Sequence, residues 1–238
     1  MKSTAQAALE AGFSAHRFNL RSCGGTESCG RTGYHSGLTT DLLAFLRQLQ
    51  PEAGRPVYLV GFSLGGNVAL KLAGELGEHG LGWLGGVCAV STPIDLAACV
   101  DRLERRGNYL YHKRFVRRLK RRIRQLDPGV NGLHTVKTVR EFDDLITAPT
   151  FGFRDAADYY ETQSCRRFLD GIRVPSLLIQ AKDDPVIPFE IFERPGLRNP
   201  NIRLLAVEHG GHVGFISRRP PRFWLGPVLV EWMRSLRQ

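Results

Sequence analysis

Gly61-Phe62-Ser63-Leu64-Gly65 follows the β-rich run Pro56-Val57-Tyr58-Leu59-Val60 and precedes Gly66-Asn67-Val68-Ala69-Leu70-Lys71-Leu72-Ala73, a helical pattern free of proline. A strand that turns sharply into a helix at a serine, with glycine two before and two after, is a nucleophile elbow. The serine backbone is strained in such a turn. Side chains at Gly61 and Gly65 would drive strand and helix into one another, so both glycines are expected to be required. The turn aims Ser63 Oγ beyond the carboxyl end of the strand. It also points the Leu64 N–H, at the start of the helix, toward an oxyanion formed beside it.

The 238 residues suit one domain with a sizeable core, and 42% apolar with 24% charged residues is the balance of a soluble globular chain. No window approaches the roughly twenty consecutive apolar residues of a transmembrane helix. The start, Met1 to Glu10, lacks the apolar core of a signal peptide, so a cytoplasmic location is expected. Cys23, Cys29, Cys88, Cys99 and Cys165 are odd in number and scattered, with no C-x-x-C pair. Reduced thiols are expected, with no disulfide framework and no zinc.

Four strand candidates besides the one before Ser63 stand out: Ser14–Leu20, Gly85–Val90, Val174–Ala181 and Ile202–Val207. Helical spacing appears over residues 2–11, over Thr39–Gln50 with Pro51 closing it, after the elbow to about Leu76, near Phe189–Phe192, and through Leu229, Trp232, Met233 and Leu236. Strands alternating with helices indicate a mostly parallel, doubly wound α/β sheet of about five strands, with chemistry at the strands' carboxyl ends. Residues 95–170 break the alternation and hold no convincing strand. They are expected to form a helical lid inserted within a single 238-residue domain.

A serine hydroxyl needs a base to take its proton, and the base needs an acid to fix its tautomer and stabilise the imidazolium. In the nucleophile-elbow fold the order is serine, acid, histidine. The first acids at a downstream strand end are Asp183 and Asp184 in Lys182-Asp183-Asp184-Pro185-Val186-Ile187-Pro188. Asp184 is favoured by its D-x-x-x-P spacing to Pro188, and Asp183 is the alternative, better suited to a turn or cap. The base is expected after the last strand, in Glu208-His209-Gly210-Gly211-His212-Val213-Gly214-Phe215. His212 is favoured over His209, because the glycine pair before it lets the backbone bend over the elbow. The other five histidines, including His35, His112 and His134, have no spacing that argues for more than surface roles.

With Asn19-Leu20-Arg21-Ser22-Cys23-Gly24-Gly25, Tyr34-His35-Ser36-Gly37, Arg140-Glu141-Phe142-Asp143-Asp144 and Asp158-Tyr159-Tyr160, the elbow and the acid and histidine loops resemble the YheT-like branch of the α/β-hydrolases. The resemblance covers most of the chain. It implies the α/β-hydrolase fold, a serine hydrolase acting on carboxylic esters, some relatives acting on lipids, and the same three residues: Ser63 as nucleophile, Asp184 as acid, His212 as base. No metal or organic cofactor is implied.

Two departures stand out. The family has glycine where this chain has Ser22. A strand and a His-Gly-type loop precede the family's helix corresponding to residues 2–11, and that loop supplies the second oxyanion N–H; nothing here matches it. The expected consequence of one missing donor is a loss of about 100- to 1,000-fold in turnover. The sequence therefore reads as one with an incomplete amino terminus. The alternatives are a shortened enzyme or a catalytically impaired binding protein that keeps the pocket.

The formal net charge is +10, and residues 101–124 hold eleven Lys or Arg against Asp101 and Glu104. Phe115, Leu119, Ile123 and Leu126 fall on one side of a helix whose other side is basic. Three readings follow for residues 102–124: a solvated lid face, a helix resting on an anionic membrane with its apolar side dipping into the interface, or a nucleic-acid binder. The last is disfavoured because no reader motif is present. The solvated lid face is the first of these readings, so the expected partner is a small-molecule ester or lipid; the membrane reading is the alternative, and it would add an anionic surface as partner and place a cytoplasmic protein peripherally at the inner membrane.

Overall fold

A computed structural model describes residues 2–27, 32–53, 56–193 and 197–236. Cys29 lies outside the described residues. In chain order the helices and strands are α1 (Lys2–Glu10), α2 (Thr40–Ala53), β1 (Val57–Phe62), α3 (Leu64–Leu76), β2 (Leu84–Val90), α4 (Leu96–Leu103), α5 (Tyr109–Leu126), α6 (Val139–Phe142), α7 (Ala148–Phe151), α8 (Ala156–Gln163), β3 (Ser176–Ala181), β4 (Ile202–Val207) and α9 (Leu225–Ser235). Pro51 does not close α2, which runs on to Ala53.

The sheet has four strands in the order β1-β2-β3-β4, all parallel. This α/β sheet matches the expected class and has one strand fewer than the expected five. Ser14–Leu20 forms no ladder among the described residues. It follows the molecule through side chains instead: His16 and Phe18 pack on Phe45, and Phe18 and Leu20 join the main core. β2 and β3 are nearly continuous apolar runs because both of their faces are covered. One face carries a core of Leu59, Val68, Leu70, Leu72, Val87 and Leu178 among others. On the other, Val90, Ile179 and Phe215 cluster with Leu229 of α9.

α1 packs against α9, where a Cβ on Gly226 would lie 3.1 Å from Ala7 Cβ. Between β2 and β3 every regular element among the described residues is helical, including a π-helical turn at Asp143–Thr147, while 127–138 run as turns and loop. This segment has a small core of its own around Leu103, Val116, Leu133, Val136 and Phe142. α5 contributes Val116, Leu119 and Ile123 to it, so the inward seam centres on Val116, and Phe115 stays 45% exposed. Among the described residues no helix is long and apolar enough to cross a membrane.

Candidate active site

The carboxyl ends of β1, β3 and β4 bring the three favoured residues together. Ser63 sits between β1 and α3 with φ +51° and ψ −124°, a conformation costly for any residue with a Cβ. Surrounding contacts hold it there. Ser63 N–H donates to Val90 O at 2.8 Å, and Ser63 O accepts the Gly66 N–H at 2.8 Å. A Cβ on Gly61 would lie 2.6 Å from the Gly65 carbonyl carbon and from Gly66 Cα, so only glycine allows strand and helix this close. The expectation fails at Gly65, where a Cβ would meet nothing within 4 Å. The second close approach is at Gly66, whose Cβ would lie 3.0 Å from Thr92 Cβ at the end of β2.

Ser63 Oγ lies 3.0 Å from His212 Nε2, and His212 Nδ1 lies 3.0 Å from Asp184 Oδ2. The line runs from a partly exposed serine to a carboxylate with no exposed side-chain surface. Asp184 is buried but well partnered: Oδ1 accepts the Val186 and Ile187 N–H groups at 2.8 and 3.1 Å, and Oδ2 also accepts from Gln180 Nε2 at 3.3 Å. Such bonds compensate the charged form for the water it has lost.

Asp183 and His209, the runners-up, face outward and pair with each other at 3.3 Å. Asp183 Oδ1 also accepts the Gly210 and Gly211 N–H groups. Desolvation pulls the Asp183 carboxyl upward, but those two N–H groups and His209 outweigh it and hold it below its ordinary value. Gly211 at φ +56° makes the turn into His212, as the glycine pair suggested. Val213 and Phe215 also take positive φ, and buried Phe215 anchors the loop through its N–H to Gly210 O at 3.0 Å.

Leu64 is the first residue of α3, where a main-chain N–H has no partner within the helix. It is thus free to face an anion beside Ser63 Oγ. Ser22, where the family resemblance implies glycine, has φ +57°, the backbone region that glycine adopts without strain. Its Oγ donates to Thr32 O at 2.9 Å, a bond glycine could not make.

Several supporting residues escaped the sequence reading. Buried Asn67 in α3 donates to Ser36 O and Gln163 O at 2.8 and 2.9 Å and accepts the Cys165 N–H at 2.8 Å, tying the elbow helix to two other segments. Asn108 donates to Pro185 O at 2.7 Å and to Arg102 O at 2.8 Å, joining the start of α5 to the acid loop. His35 has more than a surface role: it packs against Phe151, Phe153 and Tyr159, and burial, then Lys71 and Arg21, lower its pKa to about 4. His112 is half-buried, with Nε2 enclosed. The Asp143 and Tyr160 motifs meet each other, Tyr160 OH donating to Asp143 Oδ2 at 2.5 Å. Among the described residues no three His, Cys, Asp or Glu side chains gather to hold a metal ion.

Residues 4–224 match the model of the alpha/beta hydrolase family. The chain is 35% identical over 241 residues to YheT of Escherichia coli (strain K12), covering 97% of this chain and 70% of that protein. The chain belongs to the α/β-hydrolase family, in its YheT-like branch. Other relatives include the monoacylglycerol lipase of Saccharomyces cerevisiae, 29% identical over 93% of this chain, and phospholipase ABHD3 of Mus musculus, 30% identical over 90%. The chain spans about half of each of these two, 52% and 54%. Among solved structures the fold resembles the Pyrococcus furiosus esterase Pf2001 (TM-score 0.62, 18% identity, 99% of this chain and 76% of that one). It also resembles the esterase EaEST of Exiguobacterium antarcticum (TM-score 0.60, 21% identity, 98% and 86%).

Proposed function

We propose that this α/β-hydrolase cleaves carboxylic esters through Ser63, His212 and Asp184. The observation that carries the reading is the unbroken line Ser63 Oγ to His212 Nε2 to Asp184 Oδ2, with 3.0 Å at each step. His212 Nε2 takes the proton as Ser63 Oγ attacks the acyl carbon. Asp184 holds the Nδ1–H tautomer and stabilises the imidazolium. The Leu64 N–H donates to the carbonyl oxygen as it becomes an oxyanion. Collapse of the tetrahedral intermediate breaks the ester C–O bond, and His212 returns its proton to the departing alkoxide to release the alcohol. Water, deprotonated by His212, then attacks the acyl-enzyme and frees the acid and Ser63.

The substrate class leans on the relatives, whose names include a monoacylglycerol lipase and a phospholipase. A short-chain acyl ester or a lipid ester is therefore the proposed substrate. The helical segment 95–170 is the proposed lid, and its basic stretch 102–124 is read as facing an anionic lipid surface where such an ester would lie.

The test is labelling of the full 238-residue chain with a fluorophosphonate, comparing wild type, Ser63→Ala and His212→Ala. Labelling of the wild type that both substitutions abolish is the expected result. A folded, monodisperse wild type that takes no label would refute an activated serine. Hydrolysis of p-nitrophenyl esters of increasing acyl length would then set the preferred chain.

A further inference from the structure

The inward face of α5 is occupied. Val116, Leu119 and Ile123 pack in the core of the helical segment, so they cannot dip into a lipid interface as the sequence pattern suggested. Both ends of the helix are pinned as well. Asn108 ties its start to the acid loop, while Arg122 donates to Arg21 O and Ser22 O at 3.0 and 2.6 Å and stacks 4.3 Å over the Tyr34 ring. What remains open is the outward face.

That face is both apolar and basic. Leu110 and Tyr111, 78% and 56% exposed, stand on it, with Phe115 exposed on its flank. With about 100° per residue, Leu110 and Tyr111 flank the direction opposite Val116, and Arg114, Arg118 and Arg121 continue that ridge at the spacings of one face. Lys113 and Arg117 stand beside it and are exposed too. None of these five cations forms an ion pair among the described residues, although Glu27 lines an open groove beside Arg118 and Arg121.

We infer that the outward ridge of α5 docks on an anionic lipid surface, Leu110 and Tyr111 entering the interface and Arg114, Arg118 and Arg121 lying on the headgroups. Apolar tips exposed at one end of an arginine ridge match a bilayer, which offers an apolar layer beneath a layer of negative charge; a nucleic-acid backbone offers the charge alone. Asn108 places this end of the helix against the loop that carries Asp184, so docking would hold the candidate active site close to the surface. The inference rests on the anionic-surface reading given above and specifies its residues. It requires no ester hydrolysis.

The test is sedimentation of the full chain with phosphatidylcholine vesicles, with and without phosphatidylglycerol, and a parallel gel shift with duplex DNA. Wild type should bind the phosphatidylglycerol vesicles alone. Arg114→Gln/Arg118→Gln/Arg121→Gln should weaken that binding about 100-fold, since each cation near the surface is worth roughly fivefold. Leu110→Ser/Tyr111→Ser should weaken it about tenfold with every charge retained. All five positions are exposed, so thermal unfolding of both variants should match wild type. Absence of vesicle binding by wild type would overturn the lipid surface itself. Vesicle binding indifferent to Leu110→Ser/Tyr111→Ser would overturn the docking mode. Tighter binding to DNA than to vesicles, lost with the three arginines, would assign the ridge to a nucleic acid. Fluorophosphonate labelling, run on the same variants in the absence of lipid, should stay at the wild-type level, which separates failure of docking from failure of the site.

Discussion

Asp183 Oδ1 accepts the Gly211 N–H at 2.8 Å and that of Gly210 at 2.9 Å, so the residue beside the buried acid grips the loop that delivers His212. The two adjacent aspartates divide the work. Asp184 points in and orients the imidazole, whereas Asp183 points out and fixes the backbone on which the imidazole rides. Loss of the outer grip should let His212 drift, and small misplacements of a reacting group are expensive. Asp183→Ala should lower kcat of ester hydrolysis about 10- to 100-fold with KM little changed. Asp184→Asn, which removes the orienting charge, should cost about 10,000-fold. His209→Ala should stay within about threefold of wild type, since His209 only flanks the Asp183 carboxylate. Steady-state kinetics of the three variants check the ranking, and equal losses for Asp183→Ala and His209→Ala would refute the grip.

Gly61 and Gly65 occupy symmetric places in the sequence and opposite ones in space. A methyl group at Gly61 would be driven into the backbone of Gly65 and Gly66. Gly61→Ala should therefore destabilise the protein by about 3 kcal/mol or more, as overpacking against an unyielding backbone does. Gly65 lies in the first turn of α3 with open space around its Cβ position. Gly65→Ala should keep or raise stability by up to about 1 kcal/mol through helix propensity. Urea unfolding of the two variants gives the comparison directly.

Much of this was legible in the sequence because the signals were local. Ile202–Val207 matches β4 to the residue, and the other three strands differ from expectation by a residue or two at their ends. Glycine at 61, serine at 63 and the glycines before His212 each report a backbone requirement at their own position. Ser14–Leu20 misled because an extended, partly apolar run becomes a strand only when a neighbour pairs with it, and its own residues do not encode the neighbour. The face of α5 misled for a related reason. Its apolar period is shared by an inward seam and an exposed end, and only the packing of Val116 separates Phe115 from Leu119. Asn67 stood within a quoted motif, but its partners at residues 36, 163 and 165 are far away in the chain.

Asn67 offers a test of how the elbow is supported. Two of its three hydrogen bonds are buried and the third is partly buried, and alanine would strand Ser36 O, Gln163 O and the Cys165 N–H together. Each stranded buried group costs about 1–3 kcal/mol, so Asn67→Ala should lose roughly 3–5 kcal/mol. Asn67→Asp keeps one acceptor but loses both donations and buries a charge, so it should be no better. Thermal unfolding checks the size. Fluorophosphonate labelling of the fraction still folded should be slowed in both variants, because the same contacts hold α3 beneath Ser63.

Asp143 should make the fold's stability fall as pH rises through the weakly acidic range. Its buried carboxyl accepts from Tyr160 OH at 2.5 Å and Thr147 Oγ1 at 2.6 Å, but desolvation dominates and pushes its pKa from the ordinary 3.8 up to about 6. The folded chain therefore holds this proton more tightly than the unfolded chain does. Below pH 3.8 both states are protonated and Asp143 costs nothing. As pH rises the unfolded state releases its proton first, stability falls, and the loss is complete above about pH 6 at no more than about 3 kcal/mol. Asp143→Asn cannot ionise, and its amide can still donate to one hydroxyl and accept from the other. Relative to that variant, wild type should lose stability steadily as pH rises from about 4 to 6 and stay level above. His35, whose lowered pKa makes the fold lose stability as pH falls from 6.5 toward 4, is present in both proteins and cancels from the difference. Urea unfolding of the pair across this range reads the effect. A difference that grew in wild type's favour with rising pH would mean that Tyr160 and Thr147 stabilise the carboxylate by more than burial penalises it.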